Sequence, residues 1–282
     1  MEIGAMLGSA AILGGIGIVF AVLIALAHRT FWVWEDPRLD EVTAMLPGTN
    51  CGACGEPGCR AFAESLVEGR VQPAACTSMG KPEIEAVADY LGVEAGEANH
   101  QVARLLCAGG SHVAAQQAEY RGLSTCAAAA VVAKGGKGCP WGCFGLDDCE
   151  VACTFDAIVM SRVGLPVVIP ELCTACGDCV EACPQGLFTL MPTDHSLLVQ
   201  CRNLIHGDEA EEMCSVACNG CARCVQDAAP ELIRMEHGLA VIDYSKIDLA
   251  EPSATERCPT GAIVWLEGIQ FPTEPRMTGS VS

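Results

Sequence analysis

The sequence predicts an α+β chain with a single N-terminal transmembrane helix, a small four-cysteine domain and a tandem pair of cysteine-rich repeats. Three observations predict it. Ile3 to Ala27 holds no charged residue. Twenty cysteines stand in 282 residues, many of them two or three residues apart. Five cysteine pairs share one and the same offset: Cys126 and Cys201, Cys139 and Cys214, Cys143 and Cys218, Cys149 and Cys224, Cys183 and Cys258. The implied domains are an anchor over 1–30, a four-cysteine domain and linker over 31–100, repeats over 101–192 and 193–268, and a disordered tail over 269–282.

An uncharged stretch of this length spans a hydrocarbon core of ~30 Å with some tilt. His28, Arg29 and Arg38 follow it, while Glu2 precedes it. The positive-inside rule therefore puts the cysteine-rich body on the cytoplasmic face of the membrane. Gly8, Gly14, Gly15 and Gly17 suit close packing against other membrane helices, and Trp32 and Trp34 suit the interface. Ala25-Leu26-Ala27 resembles a signal cleavage site, but a basic n-region is missing and the apolar stretch is long for a signal. A net charge of −19 excludes a nucleic-acid footprint. The run Asp208, Glu209, Glu211, Glu212 reads as solvated surface.

Disulfide scaffolds are short and secreted. Tight cysteine spacing in a long chain instead points to metal or clusters in a reducing compartment. Cys51, Cys54, Cys59 and Cys76 read C-x2-C-x4-C-x16-C. Four thiolates can hold a 4Fe-4S cluster. Gly52, Gly55 and Gly58 let the backbone wrap it, and Ala61, Phe62, Leu66 and Val67 give the following helix one apolar face. Structural zinc is the competing reading, but its sites more often show two close cysteine pairs.

Cys173, Cys176, Cys179 and Cys183 have full ferredoxin spacing, C-x2-C-x2-C-x3-C-P. In two-cluster ferredoxins the fourth cysteine of each run serves the other cluster. One cluster therefore takes Cys173, Cys176, Cys179 and Cys153. A second takes Cys143, Cys149 and Cys183. Its middle position is Leu146, and Cys139 is the nearest substitute. At the repeat offset the first ligand set falls on Asp248, Glu251, Ala254 and Ala228, so that cluster is lost whole from the second repeat. Cys218, Cys221, Cys224 and Cys258 remain as a complete set. Four clusters thus use sixteen cysteines. Cys107, Cys126, Cys201 and Cys214 are left as a candidate fifth site, with Cys107 and Cys139 open to exchange between sites, or as buried free thiols.

The segments at 102–107, 164–170, 197–201 and 238–244 read as strands, and short helices after the cysteine runs complete a ferredoxin-like unit. Residues 84–100 read as a short helix and linker. The stretch 134–139 has no phosphate-loop pattern and reads as a flexible loop. His112, His195 and His206 read as surface or structural, and Trp141 as packing over a cluster. No nucleophile motif, flavin site or substrate pocket is visible, so the chain carries electrons and does no bond chemistry itself.

Residues 35–76, EDPRLDEVTAMLPGTNCGACGEPGCRAFAESLVEGRVQPAAC, following one membrane helix, resemble the B subunit of the Rnf electron-transport complex. The downstream region resembles the longer, cluster-rich forms of that subunit, and the likeness runs to about residue 268. The resemblance implies membership of a complex that exchanges electrons between soluble ferredoxin and NAD and couples this to sodium or proton translocation. It implies further that ferredoxin delivers electrons to this subunit, while flavins and the nicotinamide site belong to other subunits. The same wiring attached to a different membrane oxidoreductase, or a zinc-holding structural protein, are the alternatives.

Overall fold

The structure is a computed structural model that describes residues 2–31, 36–97 and 100–271. Trp32, Trp34 and the tail beyond Phe271 lie outside the described residues. Helix α1, Glu2–Phe31, has thirty residues. At 1.5 Å per residue that is about 45 Å, more than a bilayer core requires. From Leu13 to Thr30 no side chain is buried. A Cβ built on Gly14, Gly15 or Gly17 meets nothing within 4 Å. Over Leu13–Thr30, where no described side chain is buried, the helix surface is free for lipid or for other helices.

The four-cysteine domain packs α2 (Arg38–Met45), α3 (Cys59–Val67) and α4 (Lys81–Leu91) around Val42, Phe62, Leu66, Met79 and Val87. Phe62 and Leu66 lie four apart on α3 and face inward together, as the sequence period requires. Glu83 accepts the Gly80 N–H at 2.8 Å to start α4. Gly92, at φ 68°, ends it in a left-handed turn.

Strand β1 (Gln101–Leu105) opens the first repeat. It is followed by α5 (Cys126–Val131), α6 (Asp148–Ala152), β2 (Ile158–Met160), β3 (Pro166–Val168), α7 (Asp178–Ala182) and β4 (Phe188–Pro192). The second repeat runs β5 (Leu197–Val199), α8 (Asp208–Met213), α9 (Arg223–Asp227), β6 (Ile233–Glu236), β7 (Leu239–Ile242), α10 (Ser253–Glu256) and β8 (Ile263–Trp265). In each repeat an outer antiparallel pair joins first strand to last, β1 with β4 and β5 with β8. An inner hairpin lies between, β2 with β3 and β6 with β7. Shifted by the cysteine offset, α6 coincides with α9 and β2 with the start of β6.

Two-stranded ribbons are marginal alone. Here Leu105, Ile158, Leu165, Leu187 and Phe188 form one core with Cys149 and Cys179 in it. Leu197, Leu232, Ile233, Ala254 and Ile263 form the other, around Cys224. The units touch in sequence order. Thr77 Oγ1 donates to the Thr174 carbonyl at 2.7 Å, joining the four-cysteine domain to the first repeat. The Ala108 N–H donates to the Gln200 carbonyl at 3.0 Å, joining the ends of β1 and β5.

The stretch 134–139 is packed rather than loose. A Cβ on Gly136 would sit 2.2 Å from the Ala118 carbonyl oxygen. Gly138 N–H donates to Ala115, and Gln116 bridges to Lys137.

Phe62→Ala should lower the stability of the four-cysteine domain by about 3–5 kcal/mol, the usual cost of emptying a buried phenylalanine site. Urea unfolding followed by circular dichroism checks this, and a change under ~1 kcal/mol would remove Phe62 from the core.

Candidate iron–sulfur centres

The structure gathers the twenty cysteines into five groups of four. Cys51 and Cys54 lie in the loop before α3, and Cys59 begins that helix. Cys76 follows the 3-10 turn Pro73–Ala75. Burial raises the Cys54 and Cys76 thiols, and nearby thiols of the same group add to this. Burial also pushes Cys51 upward, but hydrogen bonds from the Ala53 backbone, Ser78 and Thr49 outweigh it and leave Cys51 below the usual thiol range. The loop is held by Asn50, whose Oδ1 accepts the Cys59 N–H at 2.8 Å.

Cys153, Cys173, Cys176 and Cys179 wall a small pocket with Ala103, Ile158 and Leu190. Burial and the three neighbouring thiols push Cys179 up to about 12. Cys218, Cys221, Cys224 and Cys258 line a corresponding pocket with Val199, Ala240 and Ile263. Cys224, at the start of α9, is pushed to about 11 by burial and by its three companions. Cys258 is instead held low, because N–H groups of Ile263, Thr260 and Ala262 and the Thr260 hydroxyl outweigh its burial.

The first repeat's other group differs from its expected membership. Cys143, Cys149 and Cys183 are joined by Cys126, not by Cys139. The clamp is Asp148, which accepts the N–H groups of Cys126 at 2.9 Å and Ala127 at 3.0 Å. Thr125 caps α5 by accepting the Ala128 N–H at 3.2 Å. This sets Cys126 beside Cys149. Its thiol, raised by burial, is steadied by the backbone of Asp148 and Leu146. Burial drives Cys149 well above the usual range, with Cys143, Cys126 and Cys183 acting the same way. Asp148 and Thr125 were the missed signal: a cap and a carboxylate that meet from separate segments leave no local sequence pattern.

Cys139 joins Cys107, Cys201 and Cys214 instead, around a small pocket that Trp141, Lys137 and Asn203 also line. Burial raises Cys139, and Cys107 and Cys214 contribute in that order. Burial pushes Cys201 to about 12. Trp141 thus packs over a cysteine site, as its position implied.

Where the first repeat holds the Cys153 group, the second has a closed core. Ala228, Ala254, Tyr244, Ile247 and Ala250 pack together there, with Ala254 1% exposed. Arg257 closes it with a salt bridge to Asp227. Asp248 and Glu251 stand outside that packed set. His195 stacks flat on Tyr244, ring centroids 5.4 Å apart, which is a structural role.

Thiolate sulfur is the ligand iron–sulfur clusters take, and backbone N–H groups point at it here. Leu187 donates to Cys183 at 3.5 Å, Asn203 to Cys201 at 3.4 Å and Cys218 to Cys201 at 3.3 Å. The donor set and the cavities fit 4Fe-4S clusters.

A family model for an Fe-S cluster domain matches residues 46–78, and one for a 4Fe-4S dicluster domain matches 139–188. The chain is 41% identical over 261 residues to the B subunit of the Na(+)-translocating ferredoxin:NAD(+) oxidoreductase complex of Acetobacterium woodii, covering 93% of this chain and 78% of that one. It is 34% identical to the B subunit of the ion-translocating oxidoreductase complex of Methanosarcina acetivorans over 92% of this chain and 97% of that one. The B subunit of the proton-translocating ferredoxin:NAD(+) oxidoreductase complex of Clostridium ljungdahlii is 35% identical over 88% of each. Iron–sulfur domains at both matched stretches and relatives aligned nearly end to end agree with the cysteine geometry: the chain belongs to the B-subunit family of Rnf-type ion-translocating oxidoreductase complexes, as an iron–sulfur electron-transfer subunit.

Proposed function

We propose that this subunit receives electrons from soluble ferredoxin and passes them through a row of 4Fe-4S sites to the other subunits of an Rnf-type complex, from a cytoplasmic position fixed by α1. Four of its sites are Cys51, Cys54, Cys59 and Cys76; Cys153, Cys173, Cys176 and Cys179; Cys126, Cys143, Cys149 and Cys183; and Cys218, Cys221, Cys224 and Cys258. The observation that carries the reading is that four thiols from separate segments line one apolar pocket, in the Cys153 group and again in the Cys218 group.

A 4Fe-4S cluster, when bound, supplies a one-electron couple whose potential follows charge, hydrogen bonds to sulfur and exposure. The chain's own residues set those conditions. Leu187, Asn203 and Cys218 donate N–H groups to sulfur. Val199, Ala240 and Ile263, or Ala103, Ile158 and Leu190, keep the cavity walls apolar. The acidic surface favours a basic docking partner and low potentials. His28 and Arg29 in the last turn of α1 support the cytoplasmic orientation. Ferredoxin and NAD enter through what the relatives' names state of those proteins.

Cys258→Ala should remove the cluster held with Cys218, Cys221 and Cys224, and with it about four iron atoms per chain. The first repeat's low-temperature electron paramagnetic resonance signals should stay unchanged. Full iron content in that variant would dissolve the pairing of Cys258 with the Cys218 loop. Cys126→Ala should likewise cost about four iron atoms, and Leu146→Cys added to it should restore them. No loss in Cys126→Ala would return Leu146's role to another residue. The reading as a whole is tested by metal analysis of anaerobically purified protein in detergent: iron with equal acid-labile sulfide supports it, and zinc with little iron ends it.

A further inference from the structure

We propose that Cys107, Cys139, Cys201 and Cys214 hold a fifth 4Fe-4S cluster, built half from each repeat, that joins the sites of the two repeats into one continuous row. The proposal rests on the electron-carrier reading above and adds the link that reading lacks.

The group is not an accident of leftover cysteines, because its members correspond in pairs. Cys107 stands two residues beyond β1, and Cys201 two residues beyond β5. Each of these strands pairs with the last strand of its own repeat, Leu105 with Phe188 and Val199 with Ile263, and those two partners are themselves related by the repeat offset. Cys139 and Cys214 each stand four residues before the first cysteine of the next group, Cys143 or Cys218. The hydrogen bonds repeat as well. Cys143 N–H donates to Cys107 Sγ at 3.4 Å, and Cys218 N–H to Cys201 Sγ at 3.3 Å. Two equivalent halves therefore meet around one cavity.

The segment from Cys107 to Cys126 holds the halves together. Ala114 forms an antiparallel bridge to Cys214, and Gln116 forms one to Lys137. Ala115 N–H donates to Met213 at 2.8 Å, and Gly138 N–H donates to Ala115 at 2.8 Å. One extended segment thus fixes the two cysteine-bearing strands. Lys137 adds a cation at the cavity wall. Its Nζ donates to the carbonyls of Gly109, at 2.6 Å, and Cys143. Among the described residues no carboxylate pairs with it, and an ammonium placed there offsets the negative charge that thiolate-bound clusters carry.

Position gives the group its role. The same two N–H···S contacts tie it to the Cys143 site on one side and to the Cys218 site on the other. The Thr77 hydroxyl, donating to the Thr174 carbonyl at 2.7 Å, ties the four-cysteine domain to the loop of the Cys173 site. The order along the row is then the Cys51 site, the Cys173 site, the Cys143 site, the shared site and the Cys218 site. Each transfer oxidises one site by one electron and reduces the next by one, with no bond broken.

Iron counting with electron paramagnetic resonance tests this. The wild-type chain should carry about twenty iron atoms, and Cys107→Ala or Cys214→Ala about sixteen, with the other sites' signals retained. The double variant Cys139→Ala/Cys214→Ala should lose no more iron than either single change, since both remove one cluster. Cys126→Ala/Cys214→Ala should lose about eight iron atoms, since it removes two. In fully reduced Cys214→Ala, the Cys218 site should lose the magnetic broadening caused by a neighbouring spin. A wild-type content near sixteen iron atoms overturns the fifth cluster while leaving the other four, and so does one zinc per chain in place of four iron atoms. Additive loss in Cys139→Ala/Cys214→Ala overturns this ligand set. A wild-type chain with no iron fails the electron-carrier reading itself.

Discussion

The fold is governed by the reach of cysteine. A short loop can bring three thiols around one cavity, but its own backbone blocks the fourth side. The fourth thiol must arrive from elsewhere: Cys76 from beyond α3, Cys183 from beyond α7, Cys258 from beyond α10. Each distant ligand makes a closed unit out of elements too short to stand alone. Two-stranded ribbons and five-residue helices have little core of their own. Cys149, Cys179 and Cys224 lie inside the cores they help to form. Folding and cluster binding are on this account one process, since the ligands that close each unit come from segments that only the fold brings together.

The loss of one site from the second repeat follows from the same constraint. A cavity with three thiols and one alanine keeps the cost of the space and cannot close around its guest. Replacing all four positions lets the space collapse, and Ala228, Ala254, Ile247 and Tyr244 fill it. The salt bridge of Arg257 with Asp227 spans the place where the loops approach. The motif after Cys224 is incomplete where Ala228 joins that packed set, while its own pocket is lined by four thiols.

Much of this was legible in the sequence because cysteine spacing is a chemical pattern. The Cys51, Cys153 and Cys218 groups come together as spacing implied, and the strands ending near Leu105, Val168, Val199 and Ile242 lie where apolar runs placed them. The exchange of Cys126 and Cys139 was not legible from the cysteine offset. That offset pairs Cys126 with Cys201, whereas the strands pair Cys107 with Cys201. The difference is the segment between Cys107 and Cys126, which the second repeat lacks. Both strands were visible as apolar runs ending two residues before a cysteine, so aligning by strand would have found the correspondence. Asp148's grip on α5 was beyond reach, because it depends on two distant segments meeting.

Charge gives the row its gradient of environments. The chain is strongly acidic, yet a half-buried cation, Lys137, and a buried one, Arg104, stand beside cysteine groups. Lys137 lines the shared cavity. Arg104 is 2% exposed, donates to the Gly268 carbonyl at 2.8 Å and leaves Nε without a partner. Burial lowers its guanidinium below the usual range, and the Cys173 thiolate acts against that. A buried cation with no carboxylate is costly unless another anion answers it. Thiolate-ligated clusters are such anions, so each cation and its site offset one another's burial. Hydrogen bonds that outweigh burial hold Cys51 and Cys258 low, whereas burial pushes Cys143 and Cys201 to about 12, so thiols of one chain meet unlike surroundings.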